Sequence, residues 1–380
     1  MIIGGEAAAD LKGEPMKKKA KGKLIAVIAI CTAVFCALFF FFQALLVPKY
    51  VSENPEGSMI SEYYDNYGDN DVIFIGDCEV YENISPITLW EEYGITSYIR
   101  GTAQQLMWQS YYILEETLTY ETPKVVVLSV LAMMYGDPDS TGDQDNREAY
   151  NRMTLDNMKW SVMKWKCIKA SLTVEEKEAD AMWTYIFPLL RFHDRWSELT
   201  MEDLVYVFKD KEELTDNGYL MQVGVLPVTD DYVTAPLVDY TFSDTCYYYL
   251  DQIRELCEEN DIQLVLFKAP SLSPVWHDEW EEQIEDYAEE YGLYYINALE
   301  YIDEIGIDWD EDTYDRGLHL NVYGAEKLSS YLGAILMEKC DIEDRRDEED
   351  TAQVWEQKVE TYNARKLALE AEEAAEEQEE

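Results

Sequence analysis

Hydrophobic positions fall into one long unbroken run near the amino end and, after it, an alternation of short apolar runs with spaced apolar stripes. Residues 24–47 are apolar almost throughout, with Gln43 the one strongly polar side chain. That length covers the roughly 20 residues a helix needs to cross a hydrocarbon core, so the run reads as a transmembrane span. Further on, residues 72–75 (Val-Ile-Phe-Ile) and 125–131 (Val-Val-Val-Leu-Ser-Val-Leu) are short and apolar on both faces, as is 263–267. This is the pattern of strands buried in a parallel sheet. Residues 95–99 and 293–297 read as two more strands. Between them, 87–93, 106–120, 242–260, 280–291 and 324–337 carry apolar residues at helical spacing, as with Leu328, Leu332, Ile335 and Leu336. Strands alternating with helices predict an α/β domain, a parallel sheet covered on both faces.

The organisation follows from the same pattern. Residues 1–23 form a basic tail in which Lys17, Lys18, Lys19, Lys21 and Lys23 precede the span, whereas Lys49 alone follows it closely before Glu53 and Glu56. Positive charge on the cytoplasmic side places the amino end inside and the bulk of the chain outside. A cleaved signal peptide is the competing reading, but Leu46-Val47-Pro48-Lys49 offers no small-x-small cleavage site. Residues 48–70 are polar and turn-rich and read as a stalk. The main domain is expected over 71–340, with an insertion at about 136–244 where periodicity weakens and tryptophan, methionine and charge become dense. Residues 341–380 read as an acidic tail, either a frayed, solvated helix or disordered.

Charge narrows the partners. A formal net charge of −48 over 380 residues argues against nucleic acid and against general adhesion to anionic polymers, which need clustered Lys and Arg. Seven cysteines show no CxxC and no metal-like spacing; Cys31 and Cys36 lie in the span. Cys167, Cys246, Cys257 and Cys340 read as buried thiols, with a Cys246–Cys257 pairing left open.

The remaining cysteine is the candidate for chemistry. In Asp71-Val-Ile-Phe-Ile-Gly-Asp-Cys78 a buried strand ends at Gly76 and delivers a thiol into the turn at the carboxyl edge of the sheet, where α/β proteins place their sites. The plain alternative is a small buried hydrophobe. Gly76-Asp77-Cys78-Glu79 resembles the Gly-Asp-Ser block of the SGNH/GDSL hydrolase superfamily with cysteine for serine. Leu318-His319-Leu320-Asn321-Val322-Tyr323-Gly324 is similar to its closing histidine block. Within that superfamily the chain most resembles the membrane-anchored, envelope-facing kind of Gram-positive bacteria.

The resemblance implies an SGNH, flavodoxin-like three-layer fold. It also implies a Cys78-His319 pair oriented by an aspartate, and an oxyanion hole using the backbone of Cys78 and Gly101. The family's aspartate stands three residues before the histidine, but here that position is Arg316; Asp315 is the first choice and Asp312 the second. The asparagine expected after the third strand is missing, Ser129, Ala132 and Met133 standing there instead, so Gln104 or Gln105 is the candidate amide donor. Arg152, Arg191, His193 and Arg195 could grip an anionic group of the substrate, or simply pair with nearby carboxylates. Trp160, Trp165 and Trp196 could stack on sugars, or serve as core. Lys268 and His277 follow the 263–267 strand and are candidate pocket residues.

These features together predict an outward-facing esterase or O-acyltransferase acting on acyl esters of a cell-envelope glycan or teichoic polymer, with a membrane acyltransferase as a possible partner. Neither metal nor cofactor is called for. The rival is a non-catalytic SGNH-like protein that binds or scaffolds envelope components.

Overall fold

Five short strands, each too apolar to face water, line up in parallel in the order β2-β1-β3-β4-β5, the doubly wound order known from flavodoxin. They are β1 (Val72–Gly76), β2 (Ser97–Gly101), β3 (Val125–Ser129), β4 (Gln263–Lys268) and β5 (Tyr294–Asn297). The structure, a computed structural model, describes residues 13–48, 59–136, 144–208, 214–229, 232–234 and 236–376. β1 pairs with both β2 and β3, with Val72 opposite Ser97 and Val125 and Gly76 opposite Gly101. Its Val72, Ile73, Phe74 and Ile75 are all fully buried. Burying a side chain of this kind stabilises by about 1.5–3 kcal/mol, enough to hold a five-residue strand in the middle of the sheet.

The helices follow in chain order as α1 (Gly13–Leu46), α2 (Met59–Asn66), α3 (Cys78–Tyr81), α4 (Pro86–Tyr93), α5 (Met107–Thr117), α6 (Gln144–Asn157), α7 (Val162–Val174), α8 (Met182–Ile186), α9 (Leu189–Phe192), α10 (Met201–Phe208), α11 (Asp244–Glu259), α12 (Asp278–Tyr291), α13 (Ile302–Ile305), α14 (Val322–Lys339) and α15 (Glu349–Glu376). Successive strand residues point to opposite faces, so each face has its own core. Ile73, Ile75, Val126 and Leu128 meet Ile113 and Leu114 of α5 and Leu250 and Ile253 of α11. Val72, Phe74, Val125 and Val127 meet Leu89 of α4 and Leu328, Leu332 and Leu336 of α14. The expected three-layer α/β architecture is present.

Contacts divide the chain into two units, 1–48 with 186–211, and 49–185 with 212–380. In the first, α1 is long and apolar enough to cross a membrane. The sheet belongs to the second.

Three expectations need correction. Residues 59–70 are not stalk, because α2 buries Met59, Ile60, Tyr63 and Tyr64 in the sheet's cores. The carboxyl end is not a free tail. α15 buries Trp355 and Tyr362, stacks Trp355 on Trp90 with ring centroids 5.2 Å apart, and pairs Arg365 with Asp216 at 2.8 Å. The second strand begins at Ser97 rather than 95, because the parallel register sets Gly101 beside Gly76. The crossover from β3 to β4 does carry extra chain ahead of α11, yet α6 and α7 extend the α5 core through Leu155, Met158, Cys167 and Ile168. All seven cysteines are free, Cys246 and Cys257 included.

Candidate functional site

Gly76 has to be glycine, since a Cβ there would lie 2.5 Å from Cβ of Ser129 on the neighbouring strand. The chain therefore leaves β1 tight against β3 and turns at once into α3. Asp77 caps that helix, its Oδ1 accepting from the Glu79 N–H at 3.2 Å. Cys78 is the first helical residue, partly accessible at the carboxyl edge of the sheet.

His319 arrives from the far end of the sequence in a loop shaped by two left-handed residues, Arg316 (φ 67°) and Gly317 (φ 92°). Thr313 Oγ1 ties the loop by donating to the His319 carbonyl at 2.8 Å and accepting from the Gly317 N–H at 2.7 Å. This tight turn lets Asp315, four residues back, reach the histidine twice. Its Oδ1 accepts the His319 N–H at 2.8 Å and its Oδ2 lies 2.6 Å from Nδ1. Asp312 is occupied elsewhere, by Lys327 at 2.5 Å and the Asp308 N–H at 2.7 Å. Of the two candidate acids, Asp315 is the one in contact. The imidazole also lies close enough to the Cys78 thiol for each to shift the proton affinity of the other.

Three residues not expected from the sequence complete this surrounding. Glu82, buried, puts Oε2 3.3 Å from His319 Nδ1 and accepts a hydrogen bond from the Tyr314 hydroxyl. The Tyr314 ring stacks on His319 with centroids 6.1 Å apart. Glu82 stands four residues after Cys78, one helical turn, so the spacing was the available signal. Tyr135 is the third; burial first, then the negative charges of Asp77, Cys78 and Glu79, push its phenol pKa up.

The electrostatics favour retained protons. Burial is the main reason the Cys78 thiol is pushed up to about 12; His319 opposes the rise, and Asp77 and Glu82 add to it. Burial by itself would depress His319, but the negative charge of Cys78 when ionised, the Asp315 hydrogen bond and Glu82 together carry its pKa well above the ordinary imidazole value. The two carboxylates on Nδ1 raise it whether Cys78 is ionised or not. Asp77 is pushed up to about 7, by burial first and by Glu79 second.

The other candidates are placed as follows. Gly101 ends β2 beside the Cys78 turn, where a Cβ would lie 3.0 Å from the Gly76 carbonyl and 3.1 Å from Tyr81. Gln104 follows in a left-handed conformation (φ 47°), partly exposed. Gln105 is fully buried and its amide donates to the Arg100 carbonyl and to Ser110, so it is structural. Ser129 lies behind the turn, Oγ 3.5 Å from Asp77 Oδ1.

The candidate anion-binding residues each have partners close by. Arg152 is buried on α6, held by Glu148 at 2.9 Å, Asp156 at 3.3 Å and the Thr184 carbonyl at 2.9 Å, and packed over Tyr185. His193 and Arg195 belong to the other unit, where Arg195 pairs with Asp203 at 3.1 Å and His193 Nδ1 lies 3.0 Å from the Leu190 carbonyl. Arg191 lies over Phe192 in that unit. Lys268 is fully buried in an ion pair with Glu79 at 2.6 Å, completed by Ser271 and the Ala269 carbonyl, so it braces α3 from beneath rather than facing a ligand. Such a pair persists because each charge is paired and hydrogen-bonded. His277 lines a cavity of about 570 Å³ with Met134, Phe242, Val275 and Trp280, where the loops after β3 and β4 meet. Trp160 and Trp196 are exposed.

Glu82, Asp315 and His319 also bring three potential metal-ligand atoms within 4.8 Å of one another. Both carboxylates lie on Nδ1, and Cys78 is not among the residues of that set.

No protein-family model matches the sequence, and no curated protein aligns with it. Among solved structures, the chain is similar to a protein assigned to the lipolytic G-D-S-L family from Desulfitobacterium hafniense, with 14% identity, 70% of this chain and 98% of that one covered, and a TM-score of 0.34. It is also similar to a protein assigned as an acylhydrolase from Bacteroides fragilis (10% identity, 73% and 94% covered, TM-score 0.35). A GDSL-like lipase from Bacteroides thetaiotaomicron gives 10% identity, 74% and 98% covered, and a TM-score of 0.34.

Proposed function

We propose that this chain is a thiol-dependent ester hydrolase or O-acyltransferase of the SGNH kind, anchored by α1 with its sheet-bearing unit outside the cell, acting on acyl esters of a cell-envelope glycan or teichoic polymer. The observation that carries the reading is the placement of His319, held 2.6 Å from Asp315, against the helix that begins at Cys78, where Glu82 one turn on lies 3.3 Å from the ring. Because Nδ1 faces Asp315 and Glu82, Nε2 is the nitrogen left to take the Cys78 proton. The thiolate attacks the ester carbonyl, and the oxyanion is held by the N–H groups of Cys78 and Gly101 with the Gln104 amide. His319 returns the proton to the departing alcohol, leaving a Cys78 thioester. Water resolves it in hydrolysis; an acceptor hydroxyl resolves it in transfer, the case that calls for a membrane acyltransferase as partner. Cysteine requires less from its base than serine because its reference pKa is about 8.5.

A second reading, a binding or scaffolding protein, is favoured by the surroundings of Cys78, where burial and the carboxylates of Asp77 and Glu82 disfavour the thiolate. Hydrolysis of a short-chain aryl ester separates the two. Cys78→Ala and His319→Ala each abolish it on the catalytic reading, with Cys78→Ser keeping a part. Unchanged turnover in the alanine variants leaves the binding reading alone.

A further inference from the structure

The span is not the only apolar surface in its unit. α9 and α10 pack on the last turns of α1, with Phe187 edge-on to Phe39 at 5.8 Å and Phe208 against Phe41 at 6.2 Å between centroids. Arg195 donates to the Leu46 carbonyl at 2.9 Å, satisfying an acceptor that the end of a helix leaves open, and is itself held by Asp203. Phe39 precedes Leu46 by seven residues, so this packing occupies about 10 Å of helix length next to the exit from the apolar run.

Against that, the arm leaves its own apolar residues uncovered. Met201, Leu204, Val205 and Phe208 recur at i, i+3, i+4 and i+7 and form one face of α10. Met201 is 72% exposed, Phe208 76% and Trp196, in the preceding turn, 71%. A face this apolar is costly in water, yet it adjoins the exposed surface of a helix built for hydrocarbon. We propose that residues 186–208 form a second membrane-contacting element. They make a short helical arm folded on the outer end of α1, with the Trp196 and α10 face seated in the headgroup and acyl-chain boundary of the lipid leaflet. Tryptophan and amphipathic helices partition to that depth. The arm binds by apolar burial rather than by charge, since its sequence carries Asp194, Glu198, Glu202 and Asp203 against Arg191 and Arg195. The inference rests on α1 being a membrane anchor.

The test uses the full chain reconstituted in phosphatidylcholine vesicles, with a photoreactive diazirine-phenylalanine at position 196 or 208, at Phe35 inside the span, or at Val354, exposed on α15 of the other unit. Positions 196 and 208 are expected to label lipid about an order of magnitude more than 354, unchanged by adding phosphatidylglycerol. Lipid labelling at the level of 354 while Phe35 labels overturns the arm's membrane seat and leaves the anchor standing. Adducts to a second polypeptide at 196 and 208 overturn it in favour of a protein interface. No labelling at Phe35 overturns the anchor and the arm together.

Discussion

At the scale of single residues, the site is defined by an excess of carboxylate around one imidazole. Asp315 and Glu82 both face Nδ1 of His319, at 2.6 and 3.3 Å, and with Asp77 they surround a thiol that burial has already made a weak acid. Burial and the carboxylates raise the proton affinity of both thiol and imidazole, and on the proposed mechanism the thiolate forms when the pair loses a proton. Catalysis on this account rises with pH, and the limb lies on the alkaline side. Glu82 raises the proton affinity of both partners, so removing its charge lowers both. Glu82→Gln is therefore expected to move the ascending limb of kcat/KM for an aryl ester toward lower pH; an unmoved or alkaline-shifted limb contradicts the role given to Glu82. Asp315→Asn keeps the shape but loses the charge that orients the ring, and should lower kcat by about 10²–10⁴.

Elements were readable from sequence where they follow a single period. β1, β3 and β4 declare themselves as apolar runs, and the Cys78 turn as the glycine-terminated end of one. α15 did not, because its acidic composition hides a stripe at Ala352, Trp355, Val359, Tyr362 and Leu369, spaced alternately by three and four residues with Lys366 filling the remaining position. That spacing is a helical seam, and it packs on the α4 and α14 side of the sheet. Trp355→Ala should therefore cost about 3–5 kcal/mol in urea unfolding, against at most about 0.5 kcal/mol if the segment were solvated. The candidate site was readable at Cys78 and His319, which carry motifs. Glu82, Tyr314 and Tyr135 carry none, and reach Cys78 or His319 only through the fold. Arg152 and Lys268 misled for a related reason. A cation in an anionic chain looks free until its own carboxylates, Glu148 and Glu79, are seen beside it.

At the scale of the whole molecule, the charge of −48 sets a field that any substrate must cross. Exposed charges act over a Debye length of about 30 Å at 0.01 M ionic strength and about 8 Å at 0.15 M. At low salt, kcat/KM for a cationic aryl ester should exceed that for a neutral one, and that in turn an anionic one, with the spread shrinking as salt is added. Salt-independent ratios would mean that the site is shielded from the rest of the chain. The central claim is that Cys78 forms the bond. Rapid quenching of the full chain with an activated aryl acetate, followed by peptide mass analysis, is expected to find one acetyl group on the peptide bearing Cys78, as a thioester released by hydroxylamine and absent in His319→Ala. Full turnover with no acyl group on Cys78, or an acyl group carried by any other residue, would contradict it.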